Sequence, residues 1–162
     1  MPPPTPITSP ITERELVLVR ETDIAREKLY AGWTRPELLV QWFTPKPWTT
    51  TACEMDLRVG GTCKTTMRSP EGAEFPNVGL FLEIVPNERL VFTDAYGPGW
   101  EPNPNHFFTA VLNFETLAGG RTRYTARAMH WTAEARERHA EMGFVEGWGK
   151  AFEQLVALCR SL

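Results

Sequence analysis

Three histidines, three cysteines and a few carboxylates are the residues of this 162-residue chain from which chemistry would have to be built. His106 closes the stretch AYGPGWEPNPNH (95–106), which joins two strand-like runs, and Asp94 ends the run before it. A histidine titrates near neutrality, and a carboxylate beside it is a common partner for moving protons, so Asp94 and His106 are the candidate acid and base, against the plainer reading of His106 as a surface or structural histidine. The loop that separates them is long enough to fold over one end of a sheet as a lid. His130 borders a strand, and His139 falls near the polar side of a helical run, where it reads as solvent-exposed. Asp56 and Arg58, just ahead of Gly60 and Gly61, read more simply as a salt bridge that fixes a turn.

No catalytic motif declares itself. The sequence has no GxSxG, no P-loop, no GxGxxG after a strand and no HExxH, and DLRVGGT (56–62) is a glycine turn between strands, not a phosphate cradle. Cys53, Cys63 and Cys159 are odd in number, with no CxxC or Cys/His spacing, which points to buried free thiols and to neither metal nor cofactor. A net charge of −3 supplies no clustered positive field for phosphates, so nucleic acid is not an expected partner. No apolar run approaches the roughly 18 residues that cross a bilayer, and the N-terminus lacks the pattern of a secretion signal. The expectation is a cytoplasmic protein with no membrane partner. At 42% hydrophobic and 23% charged residues the composition is that of an ordinary globular domain.

The elements that must position these residues follow from periodicity. Residues 1–10, MPPPTPITSP, hold five of the fourteen prolines and read as a disordered tail, leaving 11–162 as one domain. Residues 12–20 read as a first strand, and 23–32 and 35–42 as two short helices, the second opened by the capping box TRPE (34–37). Trp33, Leu38, Leu39, Trp42 and Phe43 form an aromatic-rich group at their junction, read as core. Six strand-like runs follow at 49–57, 62–68, 78–85, 89–96, 107–116 and 121–131, separated by turn residues, which predicts an antiparallel meander with one dry face. The last stretch, 132–162, reads as one long helix capped by Thr132. Its apolar stripe is Met142, Val145, Trp148, Phe152, Leu155 and Cys159, with small residues Ala140, Gly143, Gly147 and Ala151 alongside. The fold class is α+β, in the order β-α-α-β6-α, with a curved antiparallel sheet wrapped around the C-terminal helix.

Four blocks of residues resemble a known family: AGWTRPELLVQWF (31–43), DLRVGG (56–61), GLFLEIVPNERLVFTD (79–94) and GFVEGWGKAFEQL (143–155). They are similar to the stand-alone bacterial domains named after the activator of the heat-shock protein 90 ATPase. That family lies within the START/Bet v 1-like superfamily, also called the SRPBCC or polyketide cyclase group. The resemblance runs over 12–160 and implies a helix-grip fold with a cavity between sheet and helix. Where the family carries a WxxPxGW-like stretch, this chain reads TPKPWTT (44–50), a departure at the expected cavity entrance near Trp48.

A cavity of that kind would be apolar with few polar groups. The strand faces contribute Met67, Phe81, Phe92, Phe108 and Met129 as ligand-binding candidates. The lid contributes Tyr96, Trp100 and His106, and the helix Gly143 and Trp148. Three functions stand open. One is a noncatalytic binder of a small hydrophobic molecule, supported by the small-residue ridge and the missing catalytic signature. Another is a cyclase- or hydratase-like enzyme working through His106 or Asp94. The third, implied by the family name, is a co-chaperone of a heat-shock ATPase. Exposed aromatics leave a homodimer open.

Overall fold

The computed structural model describes residues 13–162, so the expected tail at 1–10 lies outside the described residues. In chain order the elements are β1 (Glu15–Thr22), α1 (Arg26–Thr34), α2 (Pro36–Leu39), β2 (Thr49–Met55), β3 (Thr62–Arg68), β4 (Glu74–Val85), β5 (Arg89–Thr93), a small hairpin of β6 (Tyr96–Gly97) and β7 (Glu101–Pro102), β8 (Thr109–Thr116), β9 (Thr122–Met129), α3 (Ala133–Glu141) and α4 (Phe144–Arg160). Seven strands make one antiparallel sheet in the order β1-β9-β8-β5-β4-β3-β2, and β6 and β7 pair separately within the long loop. The meander follows from hairpin turns, and β1 closes it by pairing with β9, Leu16 opposite Ala128 and Leu18 opposite Ala126. Register shifts between Thr50 and Ala52 and between Phe81 and Glu83 mark bulges that bend the sheet.

One face of the sheet carries Leu16, Leu18, Leu90, Ala110, Leu112, Phe114, Tyr124 and Ala126, all buried, and α4 lies against it. Tyr124 stacks on Phe152 with ring centroids 4.5 Å apart, which locks helix to sheet. Helix α1 crosses close to α4 because Gly32 has no side chain: a Cβ there would stand 2.4 Å from Leu155 Cδ1. The Trp42 indole N–H donates to Gly32 O at 3.0 Å, and Trp33 packs edge-on against Trp42 and Phe43, so the aromatic group at this junction is core.

Three expectations are corrected. The C-terminal segment is two helices, not one. Thr132 caps the first as its spacing suggests, accepting from Ala135 N at 3.0 Å, but Gly143 adopts φ 91° and the chain turns before α4. Only glycine takes that conformation readily, so the glycine read as one of a ridge of small residues is instead the break. The buried stripe therefore has a different phase: Phe144, Ala151, Phe152, Leu155 and Cys159 face the core, while Met142 and Val145 are 69% and 50% exposed. The TRPE capping box does not form either. Thr34 Oγ1 donates back to Tyr30 O at 2.8 Å, and α2 begins at Pro36 without a side-chain cap. The turn read at 56–61 is as expected, with Arg58 Nε 2.7 Å from Asp56 Oδ2.

Candidate functional site

Strand β5 runs on into Asp94, and the chain returns as β8 after the long loop. The Asp94 carboxylate accepts from Phe107 N at 2.8 and 2.9 Å and from Phe108 N at 3.2 Å, and Asn103 Nδ2 donates to Asp94 O at 2.8 Å. Asp94 thus stitches both ends of the loop to the sheet. Burial pushes its carboxyl above the usual range, against the pull of those two amide donors. His106 is held elsewhere: its Nδ1 lies 3.1 Å from Asn103 O and its ring stacks on Trp131 at 4.1 Å. It lines an open surface cleft of about 410 Å³ with Tyr96, Asn103 and Trp131.

The polar groups that do meet at the mouth of the helix–sheet interface are two other histidines. His130 follows Ala126 and Ala128 in strand alternation and so faces the helices. Its backbone N–H and its Nδ1 both reach Arg14 O, at 2.8 and 2.9 Å. Its Nε2 lies 2.8 Å from Nδ1 of His139, which α3 brings in from above. His139 is 6% exposed, a correction to its reading as a solvent-facing residue. Burial, and then the nearby His130, hold its pKa down to about 4; burial also lowers that of His130. Both rings are neutral at pH 7. Around them stand Phe107 at 4.8 Å from the His139 ring, and Phe108 and Phe144 each at 5.2 Å.

The ten residues expected to bind a ligand fall into separate groups. Phe108 and Trp148 meet at 5.7 Å beside the histidine pair. Phe92 packs against Trp33 at 5.7 Å and pairs across the sheet with Phe81, which is buried in the solid core. Met67 shares the helix-facing side of β3 with Cys63 and is half-buried. Gly143 is the break between α3 and α4. Tyr96 and Trp100 touch at 5.9 Å on the exposed β6–β7 hairpin, with His106 near them on the surface cleft. Met129 alternates with the inward Ala128, so it faces the opposite side of the sheet. His130 was within reach of sequence reasoning, because the alternation Tyr124, Ala126, Ala128 continues to it. His139 was not, since its burial depends on the helix break at Gly143, four residues beyond it.

Among the described residues no group of three or more His, Cys, Asp or Glu is arranged to hold a metal, and no helix is long and apolar enough to cross a membrane.

A structure from Nitrosomonas europaea is 44% identical, with a TM-score of 0.88 over 92% of this chain and 96% of that one. One from Arthrobacter aurescens is 26% identical, with a TM-score of 0.78 over 93% and 88% of the two chains. One from Mycobacterium smegmatis, 24% identical with a TM-score of 0.77 over 96% of each chain, shares the fold. No curated protein matches the chain. The family model described as activator of Hsp90 ATPase homolog 1-like protein matches residues 23–160, which takes in both short helices, the sheet from β2 onward, the histidine pair and α4. By that match the chain belongs to the activator of Hsp90 ATPase homolog 1-like family and carries its helix-grip fold.

Proposed function

We propose that this protein binds a small hydrophobic molecule at the uncovered end of the interface between sheet and α4. The observation that carries the reading is a change of cover along one continuous face. Where α1 and α4 lie over β8, β9 and β1, the inward residues Leu112, Ala126 and Phe114 are sealed. Towards β2 and β3 the same face continues through Cys53, Cys63, Met67 and Phe92, and these keep partial exposure, as do Phe108 and Trp148 at the mouth. Half-covered aromatic and sulfur-bearing side chains against a packed core are suited to an apolar ligand, which would complete their burial. The site belongs at this end because Phe81, Phe114, Phe152 and Leu155 fill the middle. Membership of the family is consistent with a ligand-binding or co-chaperone-like domain, and the half-open face favours the first.

Thermal unfolding with naphthalene derivatives and medium-chain fatty acids tests this. A ligand at about 100 times its Kd should raise the midpoint by roughly 5 °C or more, and Trp148→Ala should reduce that gain. If no apolar compound stabilises the protein, the reading is wrong. Stimulation of a heat-shock ATPase without any ligand response would favour the co-chaperone role instead.

A further inference from the structure

The half-open face ends on the His130–His139 pair, and the hydrogen bonds of that pair settle which atom it offers. Arg14 O can only accept, so His130 Nδ1 must carry a hydrogen. In a neutral ring Nε2 is then bare and accepts, which makes His139 Nδ1 the donor across the 2.8 Å contact. His139 has no second hydrogen to place, so its Nε2 is left with a lone pair. The contact with His130 engages Nδ1 of the His139 ring and not Nε2. A ring that is almost wholly buried thus presents one acceptor amid Phe107, Phe108, Phe144 and Trp148.

We propose that His139 Nε2 is the polar anchor of the site, accepting a hydrogen bond from the hydroxyl of a phenol-class ligand whose ring lies against Phe108 and Trp148. This rests on the hydrophobic-ligand reading and narrows it. The acceptor selects a donor: a phenol or aryl alcohol satisfies it, whereas an ether leaves it unpaired and a carboxylate sets negative charge against a lone pair. Aromatic neighbours select the ring, since offset and edge-on contacts add to simple burial. His130 acts as a positioning residue. Anchored twice to Arg14 O, it dictates the tautomer of its neighbour without touching the ligand.

The test compares 2-naphthol with 2-methoxynaphthalene, which has the same ring and no donor, by calorimetry on the wild type and on His139→Phe. The wild type should bind the naphthol about tenfold more tightly than the ether, and the variant should bind both with the affinity of the ether. Equal affinities in the wild type, or discrimination that survives in the variant, would overturn the anchor while leaving the hydrophobic site in place. If neither probe binds the wild type, the anchor fails, and the fatty-acid arm of the thermal test then decides the hydrophobic-ligand reading separately. Nitrogen NMR of the histidines in the unmodified protein gives a second readout that needs no variant. His139 should show hydrogen on Nδ1, and its Nε2 resonance should move with 2-naphthol but not with the ether. The opposite tautomer, or an Nε2 that ignores 2-naphthol, would refute the assignment.

Discussion

His139 carries a charge in the unfolded chain over a pH range where the folded one refuses it. Its ordinary pKa is 6.5 and in the fold it lies at about 4, chiefly through burial and then through His130. Between those values the unfolded chain binds a proton that the native state does not, so stability is level above pH 6.5 and falls as the pH drops towards 4. His130, lowered by burial, works in the same sense. Asp94 works in the opposite sense, because its carboxyl is raised and the fold therefore favours its protonated form. The Arg136 guanidinium beside His130 adds to the lowering of that histidine. With partial screening allowed for, His139 should remove about 1 to 2 kcal/mol of stability between pH 7.5 and pH 5. Urea unfolding at those two values should show the wild type losing that much more than His139→Phe; equal losses would mean that the ring takes up its proton without penalty. The candidate acid–base pair of the sequence, Asp94 and His106, is divided between a loop stitch and a surface ring packed on Trp131, the second being the plainer reading of His106. Sequence spacing shows which residues can titrate. It does not show which backbone amides will claim a carboxylate first.

At the scale of elements, glycines decide where helices start, cross and pack. Gly143 ends one helical run and begins another, with φ 91°, and an alanine there would have to hold a conformation costing about 1 kcal/mol or more. Gly147 sits inside α4 and a Cβ would meet only Pro45, at 3.9 Å. Gly147→Ala should therefore stabilise the protein by about 0.5 to 1 kcal/mol, the ordinary gain in helix propensity. Gly32→Ala should do the reverse, losing about 1 to 3 kcal/mol, because its Cβ would be driven into Leu155 and that side chain is fully buried with nowhere to retreat. Chemical denaturation of the three variants checks the order Gly147→Ala, wild type, then the other two; a destabilised Gly147→Ala would show that α4 packs more tightly at that point. The strands were legible in the sequence because alternation and turn residues agree, as in β3, whose ends match the expected run of 62–68. The terminal helix was misread because Met142 and Val145 fit the apolar period as well as Phe144 does. A glycine within a helical pattern does not reveal from sequence whether it packs or breaks.

For the whole molecule, the question is how much of the grip the helix covers, and the three thiols report on it from different depths. Alternation fixes which side of each strand is apolar but not how far a helix reaches across it, so the sequence reading of uniformly buried thiols fails at one end of the sheet. Cys159, in the last turn of α4, is fully enclosed, with burial raising its thiol and its Sγ 3.5 Å from Lys28 O. Cys53 and Cys63 lie on the half-covered face. The neighbouring Cys63 lowers the pKa of Cys53, whereas Cys53 and then burial raise that of Cys63, so the two should differ in reactivity although both can be reached. Iodoacetamide followed by mass spectrometry should therefore label Cys53 first, Cys63 more slowly, and Cys159 only once the chain unfolds. A molecule bound against this face stands between reagent and sulfur. An apolar ligand that stabilises the protein should slow the labelling of Cys53 and Cys63 severalfold while leaving the rate at Cys159 tied to global unfolding. Stabilisation with undiminished labelling of Cys53 would place the ligand elsewhere, with the surface cleft beside His106 and Trp131 the next location to probe.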